Sequence, residues 1–371
     1  MKELISILSI ATLLAFTSSV SEAQNQEKEF LYVGTYTAKG EGIYVYTFDR
    51  KNKTFEPLQV LVNKNSPSFL EFHPNKKFLY SANEGNATVT SYSIDQATGK
   101  IKELNSASAE GSGPCHVSVD PKGRFLFVSN YGSGTLAVYH LQADGQIGKL
   151  ADSIQHQGDG QQKPRMHSII PSADGRFLYA SDLGIDKVMV YAINQTTGKL
   201  SPATHPSVQL QKGDGPRHFA IHPNGNFGYS AGELNNVVNS FGIDKQTGAL
   251  THLERVNMLP EGFKEKSYAA DIHFSANGKY LYASNRGHES LVIYEVNPKT
   301  GLLKTVGHVH TEGKHPRNFM IDEQNEFALV ANKDNDNVVF FNKNPNTGLL
   351  KHNGYILDIP TPVCVRLLSI P

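Results

Sequence analysis

The sequence predicts an all-β chain folded as a seven-bladed β-propeller, closed by pairing of its N-terminal strands with its C-terminal strand. Two observations predict it. First, one segment recurs six times: a short apolar run, a tight turn and a second apolar run. It occurs as Ser66-Pro67-Ser68-Phe69 with His73-Pro74-Asn75 and Phe78-Leu79-Tyr80, and again around Asp120-Pro121-Lys122-Gly123, Ala173-Asp174-Gly175, His222-Pro223-Asn224-Gly225, Ala276-Asn277-Gly278 and Asp322-Glu323-Gln324-Asn325. Second, a turn glycine follows each copy, at Gly99, Gly145, Gly198, Gly248, Gly301 and Gly348, spaced 46, 53, 50, 53 and 47 residues apart. A period of about 50 residues with four apolar runs per unit belongs to propeller blades, not to helical solenoids. The chain has no Trp, which argues against WD-type repeats.

Within a unit, the first strand follows the Pro, as in Phe219-Ala220-Ile221. An Asn-Gly or Asp-Gly type turn reverses the chain, because Gly and Asn accept positive φ cheaply. The second strand reads Phe-Leu-Tyr-Ala-Ser, and the third alternates, as in Val188-Met189-Val190-Tyr191. A Thr-Gly turn leads to a more polar fourth strand. Six copies leave two remainders. Leu31-Tyr32-Val33-Gly34-Thr35 and Ile43-Tyr44-Val45-Tyr46 match second and third strands, with Asn52-Lys53 where Thr-Gly stands elsewhere, and Thr361-Pro362-Val363-Cys364-Val365 matches a first strand. Joined in one sheet, they complete a seventh blade and remove the exposed edges.

The 371 residues carry 35 basic and 35 acidic side chains, so no global field favours nucleic acid or an anionic membrane. Residues 1–23 read as a secretory signal: Lys2, an apolar run over 4–16, then Ser21-Glu22-Ala23. One propeller domain over 24–371 is expected, periplasmic or secreted, with no membrane association after cleavage. Cys115 and Cys364 fall on innermost strands of non-adjacent blades and are expected to be free thiols.

Two positions per blade depart from structural need. One lies at the start of the innermost strand and holds Phe69, His116, His167, His218, Asp271, Asn318 and Cys364, with Arg217 and Arg317 just before two of them. The blade of His167 is expected to carry one extra residue in its turn. The other position follows the second strand and holds Glu84, Tyr131, Leu183, Glu233, Arg286 and Lys333. First and second strands are antiparallel neighbours, so both sets are expected at one mouth of the channel, with His73 and His222 at the opposite mouth. Several cations gathered at one concave point suit an anionic small molecule, and Arg suits bidentate recognition of carboxylate or phosphate. Arg and Lys among the inner oxygens argue against a calcium-type ring. Three histidines on successive blades leave zinc as a lesser alternative, and no metal or cofactor is expected. An inner-strand His can also simply fill the channel, and Glu84 can form a structural ion pair.

Gly215-Pro216-Arg217-His218 with Gly232-Glu233-Leu234-Asn235, together with Gly113-Pro114-Cys115-His116, Ser284-Asn285-Arg286 and His315-Pro316-Arg317-Asn318, resembles the seven-bladed propeller lactonases, which include propeller-type 6-phosphogluconolactonases and carboxymuconate cycloisomerases. The likeness runs over about residues 30 to 368. It implies chemistry on a lactone ring, with His167, Arg217, Glu233 and Arg286 as the catalytic set. Glu233 or His167 is then the general base, and Arg217 and Arg286 hold an anionic group and the developing oxyanion. His116, His218, Arg317, Asn318, Lys333 and Asp271 are expected to bind substrate. The expected activity is hydrolysis of a sugar or carboxylated lactone. The alternatives are ring closure by a cycloisomerase, or a non-catalytic propeller that binds an anionic ligand or a protein partner. A secretory signal sits badly with a cytoplasmic sugar phosphate as substrate.

Overall fold

The computed structural model describes residues 27–158 and 160–370, so the signal expected at 1–23 lies outside the described residues. The described strands form seven four-stranded antiparallel sheets. Six sheets are each continuous in sequence. The seventh joins Pro362–Ile370 to Lys28–Thr35, Gly42–Asp49 and Thr54–Val62. Its closing register pairs Val33 with Val365 and Gly34 with Cys364, as expected from the two remainders. The innermost strands touch one another in sequence around the ring, and Pro362–Ile370 lies against Pro67–Phe72. No helix is long and apolar enough to cross a membrane among the described residues.

Alternating strands make two apolar faces per sheet, and each face packs on the next blade. Leu126, Val128 and Ala137 lie in one inter-blade cluster, while Phe125, Phe127 and Leu136 lie in the next. The turn glycines serve this packing. Gly99 has φ +73°, and a Cβ there would fall on the Phe30 ring of the preceding blade. Tyr32 of that blade donates from its hydroxyl to Gly99 O at 2.6 Å. Lys53, standing in for the glycine, adopts φ 57°. The turn histidines also bridge blades at the end of the ring opposite Arg217: His73 Nε2 lies 3.0 Å from Gly123 O, and His222 Nε2 lies 3.1 Å from Gly278 O. Cys115 and Cys364 are buried free thiols.

Candidate active site at the channel

All seven innermost strands carry the same irregularity near their start. Pairing breaks between Pro67 and Phe69, Pro114 and His116, Met166 and Ser168, Pro216 and Phe219, Ala269 and Ile272, Pro316 and Asn318, and Pro362 and Cys364. A bulge inserts a residue that has no partner and re-aims its side chain. Two successive residues of each strand are thereby turned to the channel. The upper ring holds Ser68, Cys115, His167, Arg217, Ala270, Arg317 and Val363, and the lower ring holds Phe69, His116, Ser168, His218, Asp271, Asn318 and Cys364.

This register corrects the expected equivalence of His167 with His116 and His218. Ser168 pairs with Ser181 as His116 pairs with Ser129, so His167 shares the position of Arg217 and Arg317. The turn after it has ordinary length, Gly175 N donating to Ser172 O as Gly123 N donates to Asp120 O. The expectation of a single mouth is corrected too. His116, His218, Asp271 and Asn318 lie one layer below Arg217, and His116, His218 and Asp271 line a cavity that opens between the His222-Pro223 and Pro171 ends of their strands.

At the upper mouth, Glu233 stands between two guanidinium groups. Its Oε2 lies 2.9 Å from Arg217 Nε and its Oε1 lies 3.1 Å from Arg286 Nη2. The Arg217 Nε–H does not point at the carboxylate, so that contact is an ion pair without a well-formed hydrogen bond. Arg317 Nη2 lies 3.6 Å from Glu84 Oε1, and its guanidinium stacks over Tyr36, whose hydroxyl donates to the same Glu84 oxygen at 3.0 Å. Arg217 is 1% exposed. Burial, then repulsion by Arg286 and Arg317, lowers its pKa to about 10 against the pull of Glu233. Burial opposes ionisation of Glu233, but the two guanidiniums outweigh it and hold its pKa down.

His167 closes the group. Its ring lies against Tyr131, with Nδ1 3.8 Å from Cys115 Sγ. Burial, reinforced by Arg217 and His218, drives its pKa well below 6.5, so it is a neutral imidazole at neutral pH. The Cys115 thiol is pushed up to about 12 by burial and is no nucleophile. Lys333 sits at the rim, paired with Asp334 at 2.5 Å.

Local sequence explains the placement. Gly215 adopts φ +59° just before Pro216, and its N–H donates to Asp186. Glu233 N donates to Gly215 O. In the Glu233-Leu234-Asn235 turn, Asn235 Nδ2 donates to the buried Asp214, which Arg255 also grips. Equivalent bonds run from Glu84 N to Ser66 O and from Tyr36 N to Thr361 O. Tyr36 is therefore the seventh member of the series Glu84, Tyr131, Leu183, Glu233, Arg286 and Lys333. The sequence reading missed it because the seventh blade is split between the chain ends, although Gly34-Thr35-Tyr36 carries the signal. It also missed Tyr268, which lies under the Arg286 guanidinium.

The lower ring fixes Arg217 from behind. Arg217 Nη1 donates to Ala270 O at 2.5 Å and faces His218 Nε2 at 3.2 Å. His218 Nδ1 meets Asp271 Oδ1 at 2.6 Å, and Asp271 Oδ2 accepts from Asn318 Nδ2 and meets His273 Nε2 at 2.8 Å. Asn318 Oδ1 accepts from Val365 N, so it ties the closing strand to this network. Asp271 and Asn318 thus act on the mouth through other residues, and His116 packs on Phe69. Among the described residues, no three His, Cys, Asp or Glu side chains come together as metal ligands.

The fold and this mouth define a propeller with a buried, cation-rich channel site beside a neutral imidazole. The profile of the family "Lactonase, 7-bladed beta-propeller" matches residues 30–367, and the chain belongs to that family. It is 34% identical to a 6-phosphogluconolactonase of Bacillus subtilis over 91% of this chain and 97% of that one. It is 35% identical to a 6-phosphogluconolactonase of Formosa agariphila over 81% and 88%. The periplasmic gluconolactonase of Pseudomonas aeruginosa superposes with a TM-score of 0.87 at 32% identity, over 93% of this chain and all of that one. The protein is a lactone-hydrolysing propeller enzyme.

Proposed function

We propose that the enzyme hydrolyses a sugar lactone outside the cytoplasm, at the mouth formed by His167, Arg217, Glu233 and Arg286. The observation that carries this reading is the set of three guanidiniums, Arg217, Arg286 and Arg317, against the two carboxylates Glu233 and Glu84 in a mostly buried ring. One positive charge is left over beside a neutral imidazole. Such a ring holds an anionic group or a developing oxyanion more strongly than water does.

His167 is the better general base. Glu233 has both oxygens against guanidiniums, which weakens it as a base, whereas His167 Nε2 has no hydrogen-bond partner among the described residues. Burial is the main cause of the low His167 pKa, and negative charge developing beside the arginines offsets the part that they add, which makes the imidazole more basic as the reaction proceeds. Water loses a proton to His167 as its oxygen bonds to the lactone carbonyl carbon. The carbonyl oxygen becomes an oxyanion beside Arg217 and Arg286. Collapse breaks the ring C–O bond, and the His167 proton passes to the leaving alkoxide, giving the hydroxy acid.

The leader-like residues 1–23 and the similarity to a periplasmic gluconolactonase support an extracytoplasmic sugar lactone. The similarity to 6-phosphogluconolactonases supports a phosphorylated one. Release of acid from δ-gluconolactone and from 6-phosphogluconolactone, followed with a pH indicator in chelator, decides between them: the better substrate has the higher kcat/KM. If neither lactone, nor any of a wider lactone panel, is hydrolysed faster than in buffer, the enzyme reading fails and a binding scaffold replaces it.

A further inference from the structure

We infer that the opposite end of the channel is a second binding site, which takes a hydroxylated monocarboxylate of the size of a ring-opened sugar acid. A cavity of about 410 Å³ lies there, lined by Phe69, Glu71, His116, His218, His273 and Arg366 among others. A neighbouring hollow of about 380 Å³ shares His273, Phe274 and Arg366 with it.

Arg366 carries the argument. Two part-buried arginines that hold structure, Arg50 and Arg124, have Nε, Nη1 and Nη2 all occupied. Arg50 donates to Glu29 through Nε and Nη2, to Asp322 through both Nη1 and Nη2, and to Glu326 through Nη1. Arg124 is likewise spent on Asp120 and Gln195. Arg366 is as enclosed as Arg50, its side chain 16% exposed against 21%. Yet among the described residues its only hydrogen bond runs from Nη1 to Val365 O. Its Nη2 lies 3.8 Å from Glu71 Oε2, too far for a hydrogen bond, and its guanidinium stacks over Phe69 at 4.9 Å. Arg366 therefore presents guanidinium donors to the cavity that no acceptor among the described residues takes up.

The rest of the lining sets the ligand class. Phe69, Ile170 and Phe219 offer apolar wall, and His273 and Glu71 offer polar edges for hydroxyl groups. Asp271 is held ionised by His218 and His273, whereas burial raises the Glu71 pKa and disfavours its charge, so the one guanidinium of Arg366 suits a single carboxylate rather than a dianionic phosphate monoester. The binding site stands on the cavity and Arg366. Only the choice of a sugar acid rests on the lactone-hydrolysis reading.

The test is calorimetric titration with gluconate, with glucose as the uncharged probe. Arg217→Met, which disables the upper mouth, is expected to bind one gluconate and no glucose. Arg366→Met in that background is expected to weaken the remaining binding at least tenfold, while Arg366→Met alone keeps lactone turnover within about twofold of the parent. Glu71→Gln, which removes the competing carboxylate, is expected to tighten binding severalfold and covers the case in which Arg366→Met fails to fold. No gluconate bound by Arg217→Met, equal binding of glucose, or binding indifferent to both Arg366 and Glu71 would each overturn the inference. Gluconate bound at this end by a protein that hydrolyses no lactone would leave the site standing and remove only the proposed function.

Discussion

Asp271 holds His218 through a 2.6 Å contact to Nδ1, and this decides how Arg217 presents itself to the mouth. With the proton on Nδ1, the Nε2 lone pair faces Arg217 Nη1. The other Nη1 hydrogen goes to Ala270 O, so Nη1 is fully occupied and the guanidinium plane is fixed. Burial, then Arg217, lowers the His218 pKa to about 4 against the pull of Asp271, which keeps it a neutral acceptor at working pH. His218→Leu is therefore expected to lower kcat/KM about tenfold or more without removing any group that touches substrate. His218→Gln, which can present an oxygen at the Nε2 position, is expected to recover much of it. Equal kinetics in both variants would show that Arg217 needs no such support.

Arg217→Ala, Glu233→Ala and Arg286→Ala are each expected to reduce lactone turnover at least tenfold, in the range of positioned charged groups. The Glu233 variant exposes Arg217 and Arg286 to each other's charge, so its KM is expected to move as well as its kcat. Unimpaired steady-state rates in all three would place the chemistry elsewhere.

The pH profile of kcat/KM separates the two candidate bases. A base must be deprotonated, and the His167 pKa lies below 6.5, so the acidic limb is expected below pH 6.5 and absent in His167→Ala. On the alkaline side, activity is expected to fall near pH 10 as Arg217 loses its proton. An acidic limb that survives in His167→Ala would transfer the base role to Glu233.

Folding stability is expected to fall as the solution is acidified from about pH 6.5. His116, His167 and His218 have folded-state pKa values depressed by burial, so the unfolded chain binds protons first. Their contribution is present above the unfolded value of 6.5 and is lost as pH falls through the folded values, at up to about 1.4 kcal/mol per unit for each fully buried ring. Urea midpoints at pH 7 and pH 5 read this directly, and identical midpoints would contradict it.

Gly99→Ala combines a left-handed backbone with a Cβ placed on the Phe30 ring. Strain and overpacking together are expected to cost about 2–4 kcal/mol, seen as a lower denaturant midpoint with unchanged m. Lys53→Gly, at the equivalent turn where the residue already has φ 57°, is expected to leave stability the same or higher.

Blade number, the split seventh sheet and the turn chemistry were legible because each depends on short-range patterns: alternating apolar residues, turn glycines and a regular period. The residues Arg217, Glu233 and Arg286 were legible for a related reason, since Gly-Pro-Arg-His and Glu-Leu-Asn interrupt the repeat with charge where packing asks for none. Tyr36 was recoverable by completing the same series across the chain ends.

The tertiary structure alone settled which of two consecutive channel residues faces which mouth. A bulge has no sequence period, and its one-residue offset moved His167 up beside Arg217 and left His116, His218 and Asp271 below. The ionisation of the site was likewise outside the reach of sequence. The depressed pKa values of Arg217 and His167 arise from burial and from neighbours on other blades, Arg286 and Arg317 for the former and Arg217 and His218 for the latter. Local pattern dictates strands and turns because those interactions are near in the chain. Charge state and mouth are set by groups that meet only when the ring closes.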